Sequence, residues 1–140
     1  MYLSGQVAWN SRQEIGKSLD LGTQTQLALE NVERAVQAAG GKRADIVSLR
    51  IYIVGEHIHN LVPVREGLLR FFPDKQRPAS TWIGVSALAS PDFLVEIEAV
   101  AVLGVDDVEV DLVVREVGLG LAQVPGEPGG PQDRTRRAER

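Results

Sequence analysis

Between residues 23 and 54 the apolar side chains change their spacing, and that change limits the possible folds more than any other feature of the chain. From Thr23 to Ala39 the residues Ala28, Leu29, Val32, Val36 and Ala39 recur at steps of three and four, the stripe of an amphipathic helix. Gly40-Gly41 should end that helix, because glycine accepts the left-handed conformation at a helix terminus. Asp45 then leads into Ile46 to Val54, where Leu49, Ile51 and Ile53 fall on one face at a step of two, as a strand requires.

The rest of the chain extends the same alternation. Leu3 to Trp9 is a short apolar segment followed by turn residues, so it reads as a first strand. Leu61, Val64, Leu68, Phe71 and Phe72 give a second helix, with Pro63 in its first turn and Pro73 closing it. Two β-rich segments follow, Ser80 to Val85 and Phe93 to Val105. In the first, Thr81, Ile83 and Val85 point one way and Ser80, Trp82 and Gly84 the other, a face expected to look away from the helices. In the second, Val95, Ile97, Ala99 and Ala101 oppose Glu96, Glu98, Val100 and Val102. The order strand, helix, strand, helix, strand, strand predicts an α+β sandwich with both helices on one face of a sheet.

The chain has 140 residues, enough for one domain of ordinary size. Residues 1–105 carry the core pattern. Residues 106–117 alternate weakly and read as one more edge strand. Residues 118–140 read as a disordered tail, since eight of the fourteen residues from Gly118 to Pro131 are Gly or Pro and four arginines follow. Zero cysteines exclude disulfides, thiolate nucleophiles and cysteine-ligated metals. No run approaches the roughly 18 apolar residues of a spanning helix, and no basic region precedes an apolar stretch at the start, so no membrane partner and a cytoplasmic location are expected. A net charge of -4 disfavours nucleic acid as a partner.

Candidate chemistry concentrates in the last strand of the core. Glu96 and Glu98 share a face with Val100 and Val102, and that face points away from the helices, so water or another subunit must cover it. A buried carboxylate beside a cleft between subunits is placed to orient water or act as a general base. His57 and His59 lie two apart with no third ligand in view, which argues for surface residues and against a metal site. Serines 4, 48, 80 and 86 have no base beside them in the sequence, so a serine nucleophile is not supported.

Several separated segments resemble the RidA/YjgF family, the reactive-intermediate deaminases also known as the liver perchloric-acid-soluble protein family. They are Leu3-Ser4-Gly5-Gln6, the helix from Gln24 through Glu30-Asn31-Val32 to Gly40, the strand around Ile51-Tyr52-Ile53, Arg77-Pro78-Ala79, and Leu94 through Ala101, together spanning about residues 2–103. The resemblance implies a chorismate-mutase-like α+β fold and a homotrimer whose sheets form a central barrel, with helices outside and pockets between subunits. It also implies hydrolysis of imines and enamines without cofactor or metal, with Glu96 positioning the attacking water.

The chain departs from the family pattern in ways that bear on the ligand. Where the family motif has an arginine that grips the substrate carboxylate, this chain reads Pro78-Ala79-Ser80-Thr81. Deleting one side of a buried arginine–carboxylate pair costs on the order of 2–5 kcal/mol, so standard deamination of 2-imino acids is disfavoured. Trp82 stands at a position usually small, Arg65 at a position often asparagine, and the family's N-terminal strand, with its pocket-lining aromatic residue, is missing. The expectation is a small imine- or enamine-like metabolite bound in an inter-subunit pocket lined by Ser4, Ser80, Trp82, Glu96 and Arg65. The alternatives are a weak 2-iminobutanoate/2-iminopropanoate deaminase using Arg65, Arg77 or Arg50 as its cation, and a non-catalytic trimeric interaction protein.

Overall fold

The computed structural model describes residues 1–15, 19–74 and 77–104. The segments expected to form an extra strand (106–117) and a disordered tail (118–140) lie outside these residues. The elements run β1 (Tyr2–Gln6), α1 (Leu21–Ala38), β2 (Ile46–Val54), α2 (Val62–Phe71), β3 (Ala79–Val85) and β4 (Val95–Ala101). They form an α+β fold with a mixed sheet in the order β1-β4-β2-β3. β4 runs antiparallel to both β1 and β2, and β3 lies parallel to β2 with α2 as the crossover.

Local chemistry sets the bounds of α1. Asp20 caps its start, accepting from the Thr23 amide and the Thr23 hydroxyl at 2.9 Å each. The Thr23 amide holds the Asp20 carboxyl below the usual carboxylate range. At the other end Gly40 takes φ +85, its amide bonds Gln37 O, and the Gly41 amide bonds Val36 O. This is the glycine-terminated closure expected from Gly40-Gly41.

Leu29, Val32 and Val36 of α1, Val64 of α2, Leu49, Ile51 and Ile53 of β2, and Val95, Ile97, Ala99 and Ala101 of β4 form one buried cluster. Both helices therefore cover the same sheet face, as the sequence predicts. Gly67 lets the helices close up, because a Cβ there would crowd the Thr25 methyl. Arg43 ties the layers together: it grips the Glu33 carboxylate, donates to Phe71 O at 2.6 Å and lies over the Phe71 ring.

β1 ends at Gln6 rather than Trp9 and β4 at Ala101 rather than Val105, and two further features differ from expectation. β4 begins at Val95 rather than Phe93, because the Leu94 amide donates to Gln24 Oε1 at 2.9 Å while Gln24 Nε2 donates to Asp92 O. The buried glutamine pins the β3–β4 loop to α1 in place of a ladder. The second difference concerns Trp82. Ser80, Trp82 and Gly84 stand opposite Leu49, Ile51 and Ile53 in the β2–β3 ladder, and paired residues share a face. Trp82 thus lies on the helix side and packs against the core, not on the face of Glu96. Both faces of β3 carry apolar residues, so only its register with β2 decides which one turns inward.

Candidate functional site

The last core strand places its carboxylates as the alternation predicts. Tyr52 pairs with Glu96 and Arg50 with Glu98, all four on the sheet face away from the helices. On that face Glu98 carries the polar ties. It accepts from the Tyr52 hydroxyl at 3.0 Å and lies 3.7 Å from the Arg50 guanidinium. The hydrogen bond to Glu98 pushes the Tyr52 phenol above its ordinary value. Tyr2, Ser48, Arg50, Glu98 and Val100 line a hollow of about 110 Å³ on this face.

Glu96 follows a different path. It is half-buried and leans over β1, where its carboxylate occupies the space that a side chain at position 5 would need. The backbone beneath it is irregular. Leu3 opposes Ala99 and Gln6 opposes Ile97, so β1 carries one extra residue across Ser4-Gly5. Such a bulge bends an edge strand and re-aims its side chains. Ser4 and Glu96 therefore gather at the β1 edge.

The other expected site residues sit elsewhere. Ser80 and Trp82 belong to β3, at the opposite edge of the sheet, where the Trp82 indole donates to Ser80 Oγ at 3.2 Å. β4 and β2 lie between the two edges, so three strand spacings of about 4.8 Å, roughly 14 Å in all, separate them. Arg65 is exposed on α2. Arg77 donates to Phe72 O at 3.4 Å, beside the end of α2, whereas Arg50 shares the face of Glu98. His57 and His59 lie in the 3₁₀ turn Gly55–His59. Among the described residues no group of three or more His, Asp or Glu is placed to hold a metal ion. The wide groove of about 760 Å³ between the Trp9 loop and α1 is lined by none of the expected site residues.

The sequence reading missed Gly5 as a spatial partner of Glu96 and Tyr52 as the anchor of Glu98. The period-two pattern of Leu49, Ile51 and Ile53 puts Tyr52 on the glutamate face, which was a usable signal. The bulge at Ser4-Gly5 left none.

The fold agrees with known proteins. The profile of the endoribonuclease L-PSP family matches residues 1–103. A Yersinia pestis protein of unknown function, YyfB of the conserved Rid family, is 40% identical with a TM-score of 0.69, over 74% of this chain and 77% of that one. The chain belongs to the RidA/YjgF family. A 2-iminobutanoate/2-iminopropanoate deaminase of Dermatophagoides farinae is 30% identical over 103 residues, 74% of this chain and 77% of the relative. E. coli TdcF, solved with bound serine, is 30% identical with a TM-score of 0.65, over 74% and 80% of the two chains. This RidA/YjgF member has no helix among its described residues long and apolar enough to cross a membrane.

Proposed function

We propose that copies of this chain associate as a trimer and bind a small imine- or enamine-like metabolite where the edges of two sheets meet. The Ser4-Gly5-Glu96 edge of one copy forms one wall. Ser80 and Trp82 of the next form the other, and Arg65 is exposed on α2. The observation that carries this reading is the placement of the two residue sets at opposite edges of one sheet. They cannot meet within a chain, and a pocket shared between copies brings them together. The face bearing Ile83, Val85 and Val100, half-buried in one copy, supports association.

In this pocket Glu96 holds the imine and orients a water molecule. Water adds across the C=N bond, the C–N bond breaks, and a carbonyl compound and an amine or ammonia leave, with protons shuttled by the carboxylate. The deaminase name of the mite relative and the serine held by TdcF support a small nitrogenous ligand. Position 80 limits which ones bind. A serine whose oxygen accepts from Trp82 offers a neutral hydroxyl, so a ligand carboxylate finds no guanidinium there, and 2-imino acids bind poorly.

Thermal shift with pyrroline and with pyrroline-carboxylate tests this, since a ligand of the native state raises its melting temperature. Pyrroline should stabilise the native chain more than its carboxylated analogue. Ser80→Arg should raise affinity for the carboxylate form at least about tenfold, the size of one charge-assisted contact. Equal response of both proteins to both compounds would remove position 80 from the site.

A further inference from the structure

We propose that Gly5 is a positioning residue for Glu96: the bulge at Ser4-Gly5 and the missing side chain at position 5 together create the slot in which the Glu96 carboxylate is held. This rests on the reading that Glu96 contacts the ligand.

Gly5 is not needed for its backbone angles. Among the described glycines only Gly40, Gly55 and Gly104 take positive φ, and Gly5 is not one of them. Space is what it supplies. A Cβ built on Gly5 collides with Cγ, Cδ and Oε1 of Glu96, so any larger residue must push that carboxylate out of its present position.

The surrounding backbone is arranged for this. The register shift between Leu3 and Gln6 sets Ser4 and Gly5 against the single residue Glu98 of β4, the Glu96 side chain reaches across to Gly5, and the Gln6 side chain braces the bulge. Its amide donates to Ser4 O at 3.0 Å and to Gly5 O at 3.4 Å, satisfying carbonyls that the broken ladder leaves open. Each residue of Ser4-Gly5-Gln6 thus has a separate task. Ser4 offers an exposed hydroxyl, Gly5 an empty volume, and Gln6 the clamp that keeps the bulge in register.

The colliding atoms belong to the far end of a flexible side chain rather than to backbone. Gly5→Ala should therefore fold normally and swing Glu96 aside, which separates positioning from stability. Calorimetry with pyrroline on wild type, Gly5→Ala, Glu96→Ala and the double variant tests the proposal, together with thermal melts. The expected result is an affinity loss of at least about tenfold in each single variant, a melting temperature for Gly5→Ala within a few degrees of wild type, and a double variant no weaker than Glu96→Ala. That non-additivity is the mark of two residues acting through one group. If Gly5→Ala binds like wild type while Glu96→Ala does not, the positioning role is wrong and the reading of Glu96 stands. If Glu96→Ala binds like wild type, the reading fails and the positioning role falls with it.

Discussion

At the β1 edge the chain breaks its own ladder, whereas at the β3 edge it keeps a regular one. Seven consecutive pairs, from Ser48 with Ala79 to Val54 with Val85, join β2 to β3 without a shift. Between β1 and β4 the register slips within a few residues, and a carboxylate lies over the slip. The regular edge carries a neutral serine hydrogen-bonded to a tryptophan that packs on the core. The bulged edge carries an acid that the hydrophobic core does not need. The two edges thus separate a chemical role from a shaping role, and substitutions at each should read out differently.

The largest contrast is expected in turnover. Glu96→Ala should lower the hydrolysis of a carboxylate-free imine by on the order of 10²-fold, the usual contribution of a positioned acid or base. Ser80→Ala should change the same rate less than about threefold, because a neutral hydroxyl holds no ligand charge. Similar losses at both positions would erase the distinction between the edges.

Stability should reverse the order. Trp82 is partly buried against the core, so Trp82→Ala should lower the unfolding free energy by about 2 kcal/mol in urea titrations, below the range for a fully buried aromatic. Glu96→Ala should change it by less than about 0.5 kcal/mol, as for other residues outside the packed core. A Trp82 variant as stable as wild type would place that ring outside the packing described above.

The smallest effect concerns the polar tie between the edges. The neutral Tyr52 phenol donates to Glu98, and that bond raises its pKa above the ordinary 10.0. Its contribution to folding is complete below the ordinary value and is lost as pH rises through the folded value. A spectrophotometric titration should show one late-ionising tyrosine, absent in Tyr52→Phe. Simultaneous ionisation of both tyrosines would deny the bond.

Much of this arrangement was legible in the residues. The stripe from Ala28 to Val36 with Gly40-Gly41 behind it gave α1 and its closure, because both signals are local. The alternation in β4 gave the face of Glu96 and Glu98, because one set of its residues is apolar enough to turn inward. The face of Trp82 was not legible, since β3 has apolar residues on both sides and its orientation depends on pairing with β2. The later start of β4 depends on a buried glutamine seventy positions earlier in the chain than the amide it binds. The slot at Gly5 needs a bulge, and nothing in a five-residue strand announces where its ladder will slip. Local periodicity carries faces and ends, while register and bulges are settled between distant segments.

The central claim is that the Ser4 edge of one copy meets the Ser80 edge of another, and the absence of cysteine from the chain allows a direct test. Single cysteines at these two exposed positions, Ser4→Cys and Ser80→Cys, can be combined in one chain and treated with a short bismaleimide. The account predicts crosslinked dimers and closed trimers from the double variant, and a one-to-one crosslinked pair when the two single variants are mixed and reassembled. Monomer alone, from the double variant and from the mixture, would contradict it.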